Sequence, residues 1–208
     1  MRVWKLLAFC FGICFLLLSC HVHKSLVSKG ELIKYINDPK NGLLQQQEVN
    51  GIKVEVSFQP LSLMVSQELK FVKKIDSITI DSISKKYQNQ SYFLLKYSKN
   101  NKELIRQLGS YARYSDMLQV LAFQMQSYIN ITTPKQDTVV LSDYVFEQNY
   151  GLGDANTILL VFVKDKLKDA NKIEINVAEC GFGIGDLKFS FKKSDIDGVP
   201  KLDFTKLD

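Results

Sequence analysis

The chain predicts an α+β fold: an antiparallel β-sheet, made of a C-terminal meander and an N-terminal hairpin, with helices packed mainly on one side. Three observations predict it. Apolar residues at helical spacing are concentrated in the first two thirds of the chain, residues from Asp137 onward read as short strands separated by turns, and Asn50-Gly51 stands between two strand-like runs. Helices followed by strands bury both apolar faces most simply as helices against one sheet. With 46% hydrophobic and 24% charged residues, the body suits a single core and one globular domain.

In chain order, Ser28-Lys29-Gly30-Glu31 has the form of a capping box before Leu32, Ile33, Tyr35 and Ile36, so a short helix should end near Asp38-Pro39. Leu43 to Val49 and Ile52 to Phe58 flank Asn50-Gly51, the pair that suits a type I′ hairpin turn because both central residues need positive φ. After Pro60, the spacing of Leu61, Val65, Leu69 and Val72 predicts a second helix. Ile75 to Ile83 fits neither period, so a helix into Tyr87 and a loop both stay open. Tyr92 to Tyr97 reads as a buried strand, and Asn100 to Glu103 as a helix start before Leu104, Ile105 and Leu108. Gly109-Ser110 marks a break, after which Tyr111, Leu118, Ala122, Met125 and Ile129 form the stripe of what should be the longest amphipathic helix. Val139 to Glu147, Thr157 to Val163, Ile173 to Ala178 and Leu187 to Phe191 are the four expected strands of the meander.

The first twenty residues supply an address. Arg2 and Lys5 precede an apolar run from Leu6 to Leu18, too short to span a bilayer comfortably and shaped like a secretory signal. The run ends in Leu17-Leu18-Ser19-Cys20, which resembles the lipobox of bacterial lipoproteins. That resemblance implies a signal peptide over 1–19, lipidation of Cys20, a tether over 20–28, a globular domain over 29–194 and a tail over 195–208. Several acyl chains, each methylene contributing about 0.8 kcal/mol, would make the anchor permanent. His21 after the cysteine departs from the aspartate that retains lipoproteins at the inner membrane, so the resemblance implies an outer-membrane protein whose body faces the periplasm.

Removal of the signal would leave 25 basic against 22 acidic side chains, too small an excess to suggest nucleic acid. Cys180 would be the one cysteine of the body, so the fold should hold without an intramolecular disulfide. Both histidines, His21 and His23, fall in the tether, which deprives the body of the commonest general base and zinc ligand. Cys180 lacks a histidine partner and reads as a buried thiol. Gly181, Gly183 and Gly185 precede a strand rather than a helix, so they read as turn residues and not as a phosphate loop. No cofactor, metal or catalytic constellation is expected.

Asp143, Glu147, Asp154 and Glu179 are the carboxylates that could pair in a glycan hydrolase, which needs two acids some 5 to 10 Å apart. Asp76-Ser77-Ile78, Asp81-Ser82-Ile83 and Asp137-Thr138-Val139 resemble the O-glycosylation motif of exported Bacteroidota proteins, which makes Ser77, Ser82 and Thr138 candidate sites and favours the loop at 75–83. In manner the chain looks like lipoproteins of Bacteroidota without assigned activity. The leading expectation is a non-enzymatic, membrane-tethered component that binds or assembles with an envelope protein. An immunity lipoprotein neutralising a periplasmic toxin is the alternative, and a carboxylate-based glycan hydrolase a weaker one.

Overall fold

The computed structural model describes residues 26–135 and 137–207, so Cys20, His21 and His23 lie outside the described residues. Leu26–Val27 forms a short strand, β1, and Ser28 then caps helix α1, Lys29–Asn37. The capping box is complete: the Ser28 hydroxyl accepts from the Glu31 amide at 3.3 Å, and the Ser28 amide donates to the Glu31 carboxylate at 2.8 Å. β2 (Leu44–Val49) and β3 (Ile52–Gln59) pair from Val49 opposite Ile52, and Asn50 and Gly51 between them hold φ of 54° and 73°. That is the type I′ geometry the dipeptide predicts.

Helix α2 covers Leu61–Leu69, with Val65 and Leu69 buried, and α3 covers Ser77–Tyr87. Of the two readings left open for 75–83, the helix into Tyr87 is the one found, from Ser77 onward, and not the loop that the glycosylation-like pattern favours. Asp76 caps it by accepting from the Thr79 amide at 2.9 Å, Ile83 is its buried residue, and Ile80 and Tyr87 pack beside it against Val65 and Leu69 of α2. β4 is Gln90–Lys99 and β5 is Lys102–Glu103. The helix start expected at Asn100–Glu103 is instead a second tight hairpin: Asn100 and Asn101 adopt φ of 52° and 54°, a conformation asparagine tolerates better than most residues. A single 3-10 turn, Leu104–Gln107, follows.

Helix α4, Tyr111–Phe123, is the longest helix among the described residues but stops short of the expected stripe. Ile129 belongs to β6, Ile129–Thr132, whose buried Ile129 and Ile131 obey period two. The strand expected over Val139–Glu147 is two strands, β7 (Thr138–Val140) and β8 (Asp143–Glu147), joined by a corner at Leu141-Ser142 that carries the chain from one sheet to the other. β9 (Asn156–Val163), β10 (Lys172–Val177) and β11 (Leu187–Lys192) follow, then a one-turn helix α5 (Lys193–Asp197) and β12 (Lys201–Leu202).

The fold is α+β with antiparallel main sheets, but the C-terminal strands do not form one meander. One sheet runs β2-β3-β4-β9-β8 and the other β11-β10-β6-β7. Val54, Phe93, Leu160 and Phe162 from the first meet Ile131, Ile175, Phe189 and Phe191 from the second in the main core, with Met117 and Leu121 of α4 among them. On the far face of the first sheet, Leu32, Ile36, Leu63 and Met64 of α1 and α2 pack around Tyr92, Leu159 and Val161. This explains the unbroken apolar run of β9, which is covered on both faces.

Residues 195–208, expected as a tail, are packed as far as Leu207. β12 pairs in parallel with β1, Val199 and Leu202 are buried, and Phe204 and Leu207 rest on the helices.

Candidate functional site

The most distinctive surface is organised by one buried charge. Glu103 follows directly on the Asn100-Asn101 hairpin and is only 4% exposed. Burying a carboxylate is costly unless it is paired and hydrogen-bonded. Its Oε2 accepts from Arg106 Nε at 2.8 Å and from the Gly151 amide at 3.0 Å, so a single oxygen joins the 3-10 turn to a loop 48 residues away. The neighbouring Ile105 amide donates to Oδ1 of buried Asn156 at 3.0 Å, a second tie to the same region.

On this support sits a cluster of tyrosines and an arginine. The Arg106 guanidinium lies over the Tyr114 ring, 5.6 Å from its centre, and Tyr111 lies 6.3 Å from Tyr114 ring to ring. Tyr111 is 82% exposed, Tyr150 76% and Leu152 94%. Tyr150 holds φ of 52° and Gly151 φ of 86°, with the Leu152 amide donating to the Asn149 carbonyl at 2.9 Å, so Asn149–Leu152 is a tight turn with tyrosine at its first left-handed position. For a bulky residue that conformation costs about 1–2 kcal/mol. A Cβ at position 151 would stand 2.9 Å from Arg106 Nε, so the glycine permits the close approach of loop and arginine. The shallow depression between them is lined by Tyr114, Tyr150, Phe146 and Glu147. Chemically, this is an exposed amphipathic surface with no convergent acid–base pair.

A second feature is the glycine loop. Glu179 closes on it: Oε1 accepts from the amides of Gly181 and Gly183 at 2.7 and 2.9 Å, and Oε2 from those of Ile184 and Gly185 at 2.6 Å each. Burial works against the charge, but the four amides outweigh it and hold the carboxyl below its ordinary range. Gly181, Gly183 and Gly185 all have positive φ. The loop thus resembles an anion nest whose anion is its own glutamate, which leaves those amides no capacity for a phosphate. Asn50 at the first hairpin's tip donates to the Gly183 carbonyl at 3.1 Å and locks loop to sheet. Beneath it Cys180 is buried against wholly buried Tyr97; burial pushes the thiol up to about 12. Such a thiol packs and does not attack.

The four candidate carboxylates are not assembled into a pair. Asp143 and Glu147 stand at opposite ends of β8, about 13 Å apart along the strand at 3.3 Å per residue. Asp154 lies with Lys53 and Glu55 in a depression beside α1, and Glu179 is committed to its loop. Among the described residues no cluster of histidine, cysteine or acid could hold a metal. Ser77 and Ser82 lie exposed on α3, and Thr138 lies exposed on β7 at the edge of the smaller sheet.

Sequence reasoning missed Glu103, Arg106 and Tyr150. A usable signal was present in Asn149-Tyr150-Gly151, an asparagine and a glycine around an aromatic, which fits a left-handed turn presenting a ring.

No family model and no curated protein matches the chain. A solved structure, a novel protein of unknown function from Burkholderia pseudomallei K96243, is similar at 11% identity and a TM-score of 0.42, over 85% of this chain and 94% of that one.

Proposed function

We propose that this protein is an envelope lipoprotein, anchored through lipidated Cys20 in the outer membrane with its body toward the periplasm, and that it acts as a non-enzymatic component binding a protein partner through the Tyr111–Tyr114–Tyr150–Leu152 face. The observation that carries the binding reading is Tyr150: a bulky residue held in a left-handed turn, with its ring in solvent, on a loop pinned by a buried glutamate. Strain of this sort persists where surrounding structure over-determines it, and it clusters at functional positions. Tyrosine and arginine are also the residues enriched where binding energy concentrates. The anchor rests on the Leu17-Leu18-Ser19-Cys20 pattern.

The test is affinity purification of the intact chain from gently solubilised native membranes, with partners identified by mass spectrometry. A stoichiometric partner retained by the natural chain and lost by the Tyr150→Ala/Leu152→Ala variant supports the face. Loss of about 2 kcal/mol or more at such an anchor weakens binding about thirtyfold. A partner retained undiminished by the double variant refutes the face, and a Cys20→Ala chain that still fractionates with the outer membrane refutes the anchor. A toxin as the captured partner would identify the immunity form of the same reading.

A further inference from the structure

A cleft of about 500 Å³ opens between the first sheet and the C-terminal segment. It is within the range of about 300–1,000 Å³ typical of small-molecule sites. Its walls are apolar, with Phe58, Phe93, Leu167, Ile173, Ile196 and Phe204 among them. Four lysines also line it, Lys164, Lys168, Lys193 and Lys201, against a single acid, Asp197, which pairs with Lys193. The cleft therefore carries an excess of positive charge beside a greasy interior.

Two requirements are thus set by the walls: a chain to displace water from the apolar lining and an anion for the lysines. We infer that the cleft binds a long-chain carboxylate, its chain on the Phe58–Ile173–Ile196 lining and its carboxylate facing Lys164 and Lys168. The inference uses neither the tyrosine face nor the anchor and stands independently of both.

The probe is palmitate labelled with carbon-13 at its carboxyl, titrated at pH 8 into the full-length chain in non-ionic detergent and followed by NMR. A bound carboxyl resonance distinct from that in protein-free micelles, saturating at one equivalent, is the expected result. Lys164→Glu/Lys168→Glu, both exposed in the free protein, should weaken binding about tenfold or more, and Ile196→Trp should abolish the resonance while near-ultraviolet dichroism stays native. Absence of a saturable resonance, or equal binding by the charge-reversed chain, would overturn the assignment.

Discussion

Replacing Glu179 by glutamine tests whether the glycine loop is held by its own anion. The substitution keeps the shape of the side chain but removes the charge and turns one of the two oxygens into an amide donor. Two of the four loop amides, either the Gly181–Gly183 pair or the Ile184–Gly185 pair, then face a donor instead of an acceptor. Hydrogen bonds to a charged group contribute about 1.5–3 kcal/mol each. Two lost bonds would set an upper bound near 6 kcal/mol, but the loop is partly open and water replaces much of each, so about 2 kcal/mol is expected. In urea, with a slope near 2 kcal/mol per molar, the unfolding midpoint should fall by about 1 M. The pH dependence gives an independent check. The folded carboxyl titrates below its ordinary value of 4.5, so its contribution is complete above that value and fades as pH falls through the lower, folded one. The difference between natural chain and variant should therefore be full at pH 7 and shrink below pH 4. An unchanged midpoint at pH 7, or a difference constant down to the acid limb, would refute the idea that the carboxylate organises the loop.

Three other outcomes follow from the same geometry. Cys180, buried and with its thiol pushed up to about 12, should resist iodoacetamide at pH 8 in the native protein and react in urea in step with global unfolding, as read from the Cys180 peptide by mass spectrometry; alkylation without urea would contradict its placement. Glu103→Ala strands the Gly151 amide and frees Arg106, but Arg106 is partly solvated, so the cost should be about 2 kcal/mol in urea unfolding, below the 3–5 kcal/mol of a fully buried pair. Tyr150→Gly should stabilise the protein by about 0.5–1 kcal/mol, the relieved left-handed strain of about 1–2 kcal/mol less the added freedom of glycine when unfolded, and should weaken partner capture; a destabilised variant would show that the Tyr150 ring packs in the fold.

Local signals in the sequence were legible where one residue type meets one backbone need. The Ser28–Glu31 box, the Asn50-Gly51 turn and the positive-φ glycines at 181, 183 and 185 are of this kind, because each depends on atoms a few residues apart. What was not legible depends on partners far along the chain. Val139 to Glu147 looks like one strand because alternation does not record which sheet a strand joins, and the corner at Leu141-Ser142 is visible only once Ser142 donates to the Val161 carbonyl at 2.9 Å. Asn100-Asn101 misled because asparagine serves both helix caps and left-handed turns. Similarly, Asp76-Ser77-Ile78 satisfies a glycosylation-like pattern and a helix start at once: Asp76 caps α3 while Ser77 stays exposed in its first turn. The role of Glu103 was hidden because its value lies in Gly151 and Arg106, and only the first hairpin-like ambiguity around it is written locally.

The two polar devices of this protein differ in a way that separates support from function. Glu179 is partnered by four amides of its own loop, so its hydrogen-bonding capacity is used within the fold. Around Glu103 the arrangement is the reverse. A buried charge, a close glycine approach and a strained tyrosine all cost stability, and what they hold in place is a set of rings in solvent that contribute little to the core. A fold selected for stability alone would place glycine at 150 and an apolar residue at 103. That the chain retains the costlier choice at both positions, on one face, is the physical argument for looking for the partner there.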